Sequence, residues 1–219
     1  MDRAPTTLLI ACGALAWEIA ALKRAHGWLA LSVTCLPANF HNRPEKIPEA
    51  VREKIHAARG NYDSILVAYA DCGTGGMLDA VLAEEGVERI NGPHCYQFYA
   101  GERDFEAMMD DEPGSFFLTD YLVKHFELLM IKGLGLDRHP QLLEAYFGNY
   151  KRLVYLAQID DADLRAQAEA AAQRLGLEYE YRYTGYGELE QFMAAAVETP
   201  DNSQDESSPN GKADRRLLA

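Results

Sequence analysis

Basic residues are scarce in this 219-residue chain. It carries 21 Lys and Arg against 34 Asp and Glu, for a formal net charge of −13. Nucleic-acid binding needs clustered cations on a phosphate-facing surface, so this balance argues against it. Long apolar runs are also missing. None approaches the ~20 residues needed to span a bilayer, and the first apolar stretch is broken by Gly13 and Glu18. The opening residues also lack the basic segment and small-residue cleavage site of a secretory leader. The expectation is a cytoplasmic protein without membrane or nucleic-acid partners. Cysteine is sparse as well: four residues, with no Cys-x-x-Cys pair. In a reducing compartment such thiols serve as metal ligands, nucleophiles or packing groups more often than as disulfides.

What is present is an alternation of apolar runs and helical patterns. Thr7 to Cys12, Trp28 to Leu36 and Ser64 to Ala70 are continuous apolar runs, as expected of parallel strands covered on both faces. Helical patterns follow each of them, at about 14–26, 44–58 and 77–85. A short fourth strand is expected near 87–95, and further strands over Arg152 to Ala157 and Leu177 to Tyr183. The fold class that follows is α/β: three layers around a mostly parallel sheet with Rossmann- or flavodoxin-like winding. Residues 104–150 are expected to form a helical insert, and 1–197 a single domain. The acidic, Ser- and Asp-rich stretch 198–219 has the composition of a disordered tail.

The chemistry-bearing residues lie at expected strand ends. Tyr69-Ala-Asp-Cys-Gly-Thr-Gly-Gly76 joins the third strand to its helix and holds an acid, a thiol and three glycines. In open α/β sheets, ligands bind along this carboxyl edge. Cys12, Cys72 and Cys95 each sit beside a turn there, with His94 adjoining Cys95. Thiolates and imidazoles are zinc donors, so these four residues form a candidate metal site. Iron is an alternative, and so is plain packing of buried cysteines. Cys35, inside a strand, is assigned to the core.

His41 follows the second strand and is a candidate fourth ligand or general base. Asp71 is a candidate proton carrier or an orienting acceptor for a histidine. Arg43 is placed to hold a carboxylate or phosphate, and Gly73, Gly75 and Gly76 to let an anion approach the backbone.

Several stretches together resemble a known family. They are Ile10-Ala-Cys-Gly-Ala-Leu15 with Glu18, Leu36-Pro-Ala-Asn-Phe-His-Asn-Arg-Pro44, the Tyr69–Gly76 segment, Pro93-His-Cys95 with Gly101, and Glu112-Pro-Gly-Ser-Phe-Phe-Leu-Thr119. In order and spacing they resemble the DUF1638 family of bacterial and archaeal proteins of undefined function. Many relatives carry His-Asp-Cys where this chain has His94-Cys95, which makes Cys95 a firmer ligand candidate than His94. Genes of the family often neighbour those of corrinoid-dependent methyltransferases. The resemblance thus implies a link to methyl transfer, with a corrinoid reached through a partner protein.

Three functions follow as expectations. The first is a metalloprotein, enzyme or accessory, with zinc activating water or a thiol on a small-molecule substrate. The second is a non-catalytic carrier of a small molecule or cofactor. The third is a metal-free enzyme with Cys72 as nucleophile.

Overall fold

The computed structural model describes residues 6–198. Of the expected tail, 198–219, Glu198 ends a helix and the rest lies outside the described residues. The fold class is as expected: parallel α/β, with helices on both faces of the strands. The strands, however, form two sheets. The first has the order β2-β1-β3-β4, from β1 (Thr7–Cys12), β2 (Leu31–Leu36), β3 (Ser64–Ala68) and β4 (Glu88–Arg89). The second has the order β5-β6-β7, from β5 (Ser115–Thr119), β6 (Arg152–Ala157) and β7 (Glu178–Tyr183). All pairings are parallel.

Period-two alternation sorts the side chains of each strand onto two helical layers. In β1, Leu9 and Ala11 face α1 (Ala16–His26), α4 (Cys95–Ala100) and α9 (Gly187–Glu198). Leu8 and Ile10 face the opposite way, onto α2 (Ile47–Ala58) and α3 (Met77–Glu85). The second sheet repeats the device. Leu153 and Tyr155 pack on α6 (Asp120–Lys124) and α8 (Ala162–Leu175), whereas Val154 and Leu156 meet Phe105 and Met108 of α5 (Glu102–Asp111). Apart from Thr7 and Arg152 at their starts, β1 and β6 are therefore apolar at every position, which is why their runs read as continuous in the sequence.

The expected helical insert contains β5. Its segment, Ser-Phe-Phe-Leu-Thr, pairs with β6 and starts the second sheet. Thr119 does cap a helix, accepting a hydrogen bond from the Leu122 amide. That helix is short, and a π-helical turn follows over Glu127–Lys132. The acid beside the cap organises this end of the sheet. Asp120 is buried and accepts bonds from the Tyr155 hydroxyl (2.7 Å) and from the amides of Gln158 (3.0 Å) and Ile159 (3.1 Å).

Two contacts tie the sheets together. After β7 the chain returns to the first sheet as α9, where Thr7 Oγ1 donates to the Ala196 carbonyl at 3.1 Å. Asn42, beyond β2, donates to the Leu129 carbonyl at 2.9 Å. Among the described residues no helix is long and apolar enough to cross a membrane.

Candidate functional site

The loop after β3 is built around Asp71. Its carboxylate accepts from Thr74 Oγ1 (2.8 Å) and from the amides of Gly75 (3.2 Å) and Gly76 (2.8 Å). The Gly76 amide contributes most to holding this carboxyl below its usual range. Asp71 is thus an ionised staple of its own turn. It also occupies the Gly75 and Gly76 amides, two of the donors that an anion on the glycine loop would use.

Cys72 follows with φ +48°, the one non-glycine residue in the left-handed region among the described residues. That conformation is uncommon away from glycine, Asn and Asp. Two backbone bonds hold it. The Asp71 amide donates to the Gly92 carbonyl (3.0 Å) and the Cys72 amide to the Pro93 carbonyl (2.9 Å), which extends the β3–β4 pairing past the strands. The facing segment is fixed by Arg89. This side chain pairs with Asp79 at 2.6 and 3.0 Å and donates to the Ile90 carbonyl at 2.9 Å. No spacing marked Arg89 among the other cations of the sequence.

Beyond Pro93, His94 is extended and Cys95 opens α4. The Cys72 and Cys95 thiols lie side by side, close enough to share a proton. With Cys95 as donor, negative charge settles on Cys72, and this contact contributes most to lowering the Cys72 pKa. The same contact, joined by burial, pushes Cys95 well above the ordinary thiol value. Burial also raises Cys35, and it raises Cys12 to about 11. Cys72 is therefore the one thiol of the four drawn toward the thiolate.

Both Cys72 and Cys95 line a cleft of about 1170 Å³ between the carboxyl edge of the first sheet and β5. His41 and His94 line it as well, and desolvation lowers the pKa of both rings, so they are neutral at pH 7. Gly73 and Gly76 stand at its margin, while Tyr96, Phe116 and Phe117 form an aromatic wall. Asp79, Glu102, Glu106 and Asp110 make the remaining rim acidic. Arg43 and Gly75 do not line this cleft.

Behind it lies a small inner chamber, of about 20 Å³, lined by Cys12, His41, Tyr69, Cys72, Cys95 and Tyr99. The hydroxyls of Tyr69 and Tyr99 are buried without a well-formed hydrogen bond, although the Tyr69 hydroxyl lies beside the Cys12 thiol. Tyr99 belongs to an aromatic group that the sequence offers as core packing or pocket lining, whereas Tyr69 reads only as the apolar end of a run.

The metalloprotein reading requires correction. Cys12, Cys72, Cys95, His94 and His41 do gather at one edge. Even so, among the described residues no group of three or more His, Cys, Asp or Glu side chains is arranged to hold a metal ion. Cys12 is a protonated thiol buried against Tyr69, and Cys72 and Cys95 engage each other rather than a shared point. Convergence of strand ends brings residues to one edge; ligation also needs their side chains to aim at one centre.

No curated protein matches the chain. A family model described as "Protein of unknown function (DUF1638)" matches residues 35–193, which include the Cys72 loop, Cys95, β3, β4 and the whole second sheet, and the chain belongs to that family.

Proposed function

We propose that this protein binds a small molecule in the cleft between its sheets and attacks it with the Cys72 thiolate, without a metal. The observation that carries this reading is the placement of Cys72. It lines the cleft on a strained turn at φ +48° that Asp71 staples, with Cys95 beside it and its pKa drawn downward. A thiolate is the nucleophilic form of cysteine, so a lowered pKa with access to solvent is the microenvironment a reactive cysteine needs.

The other groups have supporting parts. Cys95 lies beside Cys72 and stabilises its charge. His41 and His94, neutral at pH 7, are available to accept protons from an incoming ligand. The aromatic wall of Tyr96, Phe116 and Phe117 suits an apolar body on that ligand, and the cleft is of a size to enclose one. Asp71 acts through the loop it staples and not as a proton carrier.

The test is site-resolved alkylation with iodoacetamide across pH 5 to 10, each cysteine being followed by peptide mass spectrometry. Cys72 should react faster than the other three cysteines, with its rate half-maximal below the ordinary thiol value of 9.0. Alkylation of Cys72 no faster than that of Cys35 at pH 7 would sink the proposal.

A further inference from the structure

We infer that Cys95 is the resolving thiol of Cys72, and that the pair takes small disulfides as substrates, closing to an intramolecular Cys72–Cys95 disulfide. The inference rests on Cys72 being the reactive nucleophile and adds the class of compound it meets.

Three observations carry it. First, Cys72 and Cys95 line the same cleft and the same inner chamber of about 20 Å³, which brings the two thiols together as a disulfide of about 2.05 Å requires. Second, the segments bearing them are joined by the bonds from the Asp71 amide to Gly92 and from the Cys72 amide to Pro93. The approach of the thiols is therefore a property of the fold and not of a chance pair of rotamers. Third, both residues are half-buried and both line the cleft, so a reagent reaches Cys72 while Cys95 waits beside it. Cys12, the third thiol of the inner chamber, does not line the cleft.

The chemistry balances. The Cys72 thiolate attacks one sulfur of a disulfide RSSR, which breaks the S–S bond, leaves RS attached to Cys72 and expels RS⁻. Cys95 then loses its proton to solvent in the cleft and attacks the Cys72 sulfur. The protein disulfide forms and a second RS⁻ departs. Two protein thiols are oxidised, one small disulfide is reduced to two thiols, and the departing thiolates take up the protons released.

The order of events follows from placement: once Cys72 carries RS, the thiol beside it on the cleft wall is Cys95, while Cys12 lies off the cleft.

The test exposes the full chain to oxidised glutathione and maps its thiols by mass spectrometry. The wild type should yield linked Cys72 and Cys95 peptides with little retained glutathione. Cys95→Ser should hold one glutathionyl group on Cys72, and Cys72→Ser should leave Cys95 reduced. The inference is overturned if the wild type retains glutathione on Cys72 as fully as Cys95→Ser does, or if the bridge joins Cys12. Iodoacetamide separates the two layers of the argument. Rapid alkylation of Cys72 with no Cys72–Cys95 bridge overturns the disulfide chemistry alone, whereas a Cys72 inert to both reagents overturns the nucleophile as well.

Discussion

Glu18 offers a quantitative test of how the two sheets meet. It lies on α1, is 3% exposed, and its Oε2 has no hydrogen-bond partner. Burial raises its pKa from 4.5 to about 7, the bond from its own amide opposes this, and the nearby Asp120 adds to the rise. The folded state thus holds the Glu18 proton more tightly than the unfolded chain does. Below pH 4.5 both states are protonated and no penalty exists. Stability then falls as pH rises from about 4.5 to about 7, and levels off above that. At ~1.36 kcal/mol per pH unit the whole loss is about 3 kcal/mol. Glu18→Gln keeps the shape of the side chain and removes the ionisation. The variant should lie within about 1 kcal/mol of the wild type at pH 5 and exceed it at pH 8 by up to about 3 kcal/mol, or roughly 6–12 °C in Tm for a chain of this size. Thermal unfolding by circular dichroism at the two pH values measures this. A variant that gains nothing at pH 8 relative to pH 5 would refute the assignment of a buried, reluctantly ionised carboxyl.

Four further outcomes follow. Cys95→Ala removes the neighbour that lowers the Cys72 pKa, so the half-maximal pH for Cys72 alkylation should rise; an unchanged value would show that Cys95 does not act on it. Asp120→Ala leaves the Tyr155 hydroxyl and two amides unpartnered in the core and should cost about 3–5 kcal/mol in urea unfolding; a loss under 1 kcal/mol would show that this network is dispensable. Gly187 has φ +53°, and a Cβ there would lie 2.3 Å from the Phe98 carbonyl oxygen, so Gly187→Ala should cost about 1–3 kcal/mol and loosen α9 from α4. Incubation with a strong chelator should leave the Tm unchanged, because no set of ligands is gathered among the described residues; a fall of several degrees would restore the case for a structural metal.

The parallel architecture was legible because strands buried on both faces must be apolar along their buried length, as Leu8 to Cys12 and Leu153 to Ala157 are. Helix ends were legible where a local group decides them. Asp161 caps α8 through the amides of Asp163 and Leu164, and Gly176 ends it in the left-handed conformation. β5 was hidden, because five residues between a Pro-Gly turn and a helix cap show too little periodicity to separate strand from helix. Its identity comes from pairing with β6, a contact made across an interval of more than thirty residues.

The site divides along the same line. That Cys12, His41, Cys72 and Cys95 would meet at a carboxyl edge follows from strand order, which alternating β and α segments encode locally. What they do there does not. Whether thiols converge on one ion, pack against a tyrosine or bond to each other depends on a few ångströms of side-chain placement. That placement is set here by the bonds from Asp71 and Cys72 to Gly92 and Pro93, by the Arg89–Asp79 pair, and by a positive φ at Cys72. Each is a long-range or conformational constraint with no counterpart in local sequence. The sequence by itself determined which residues reach the edge; the tertiary structure alone decided that one thiol is drawn toward its thiolate and that its neighbour is the thiol beside it.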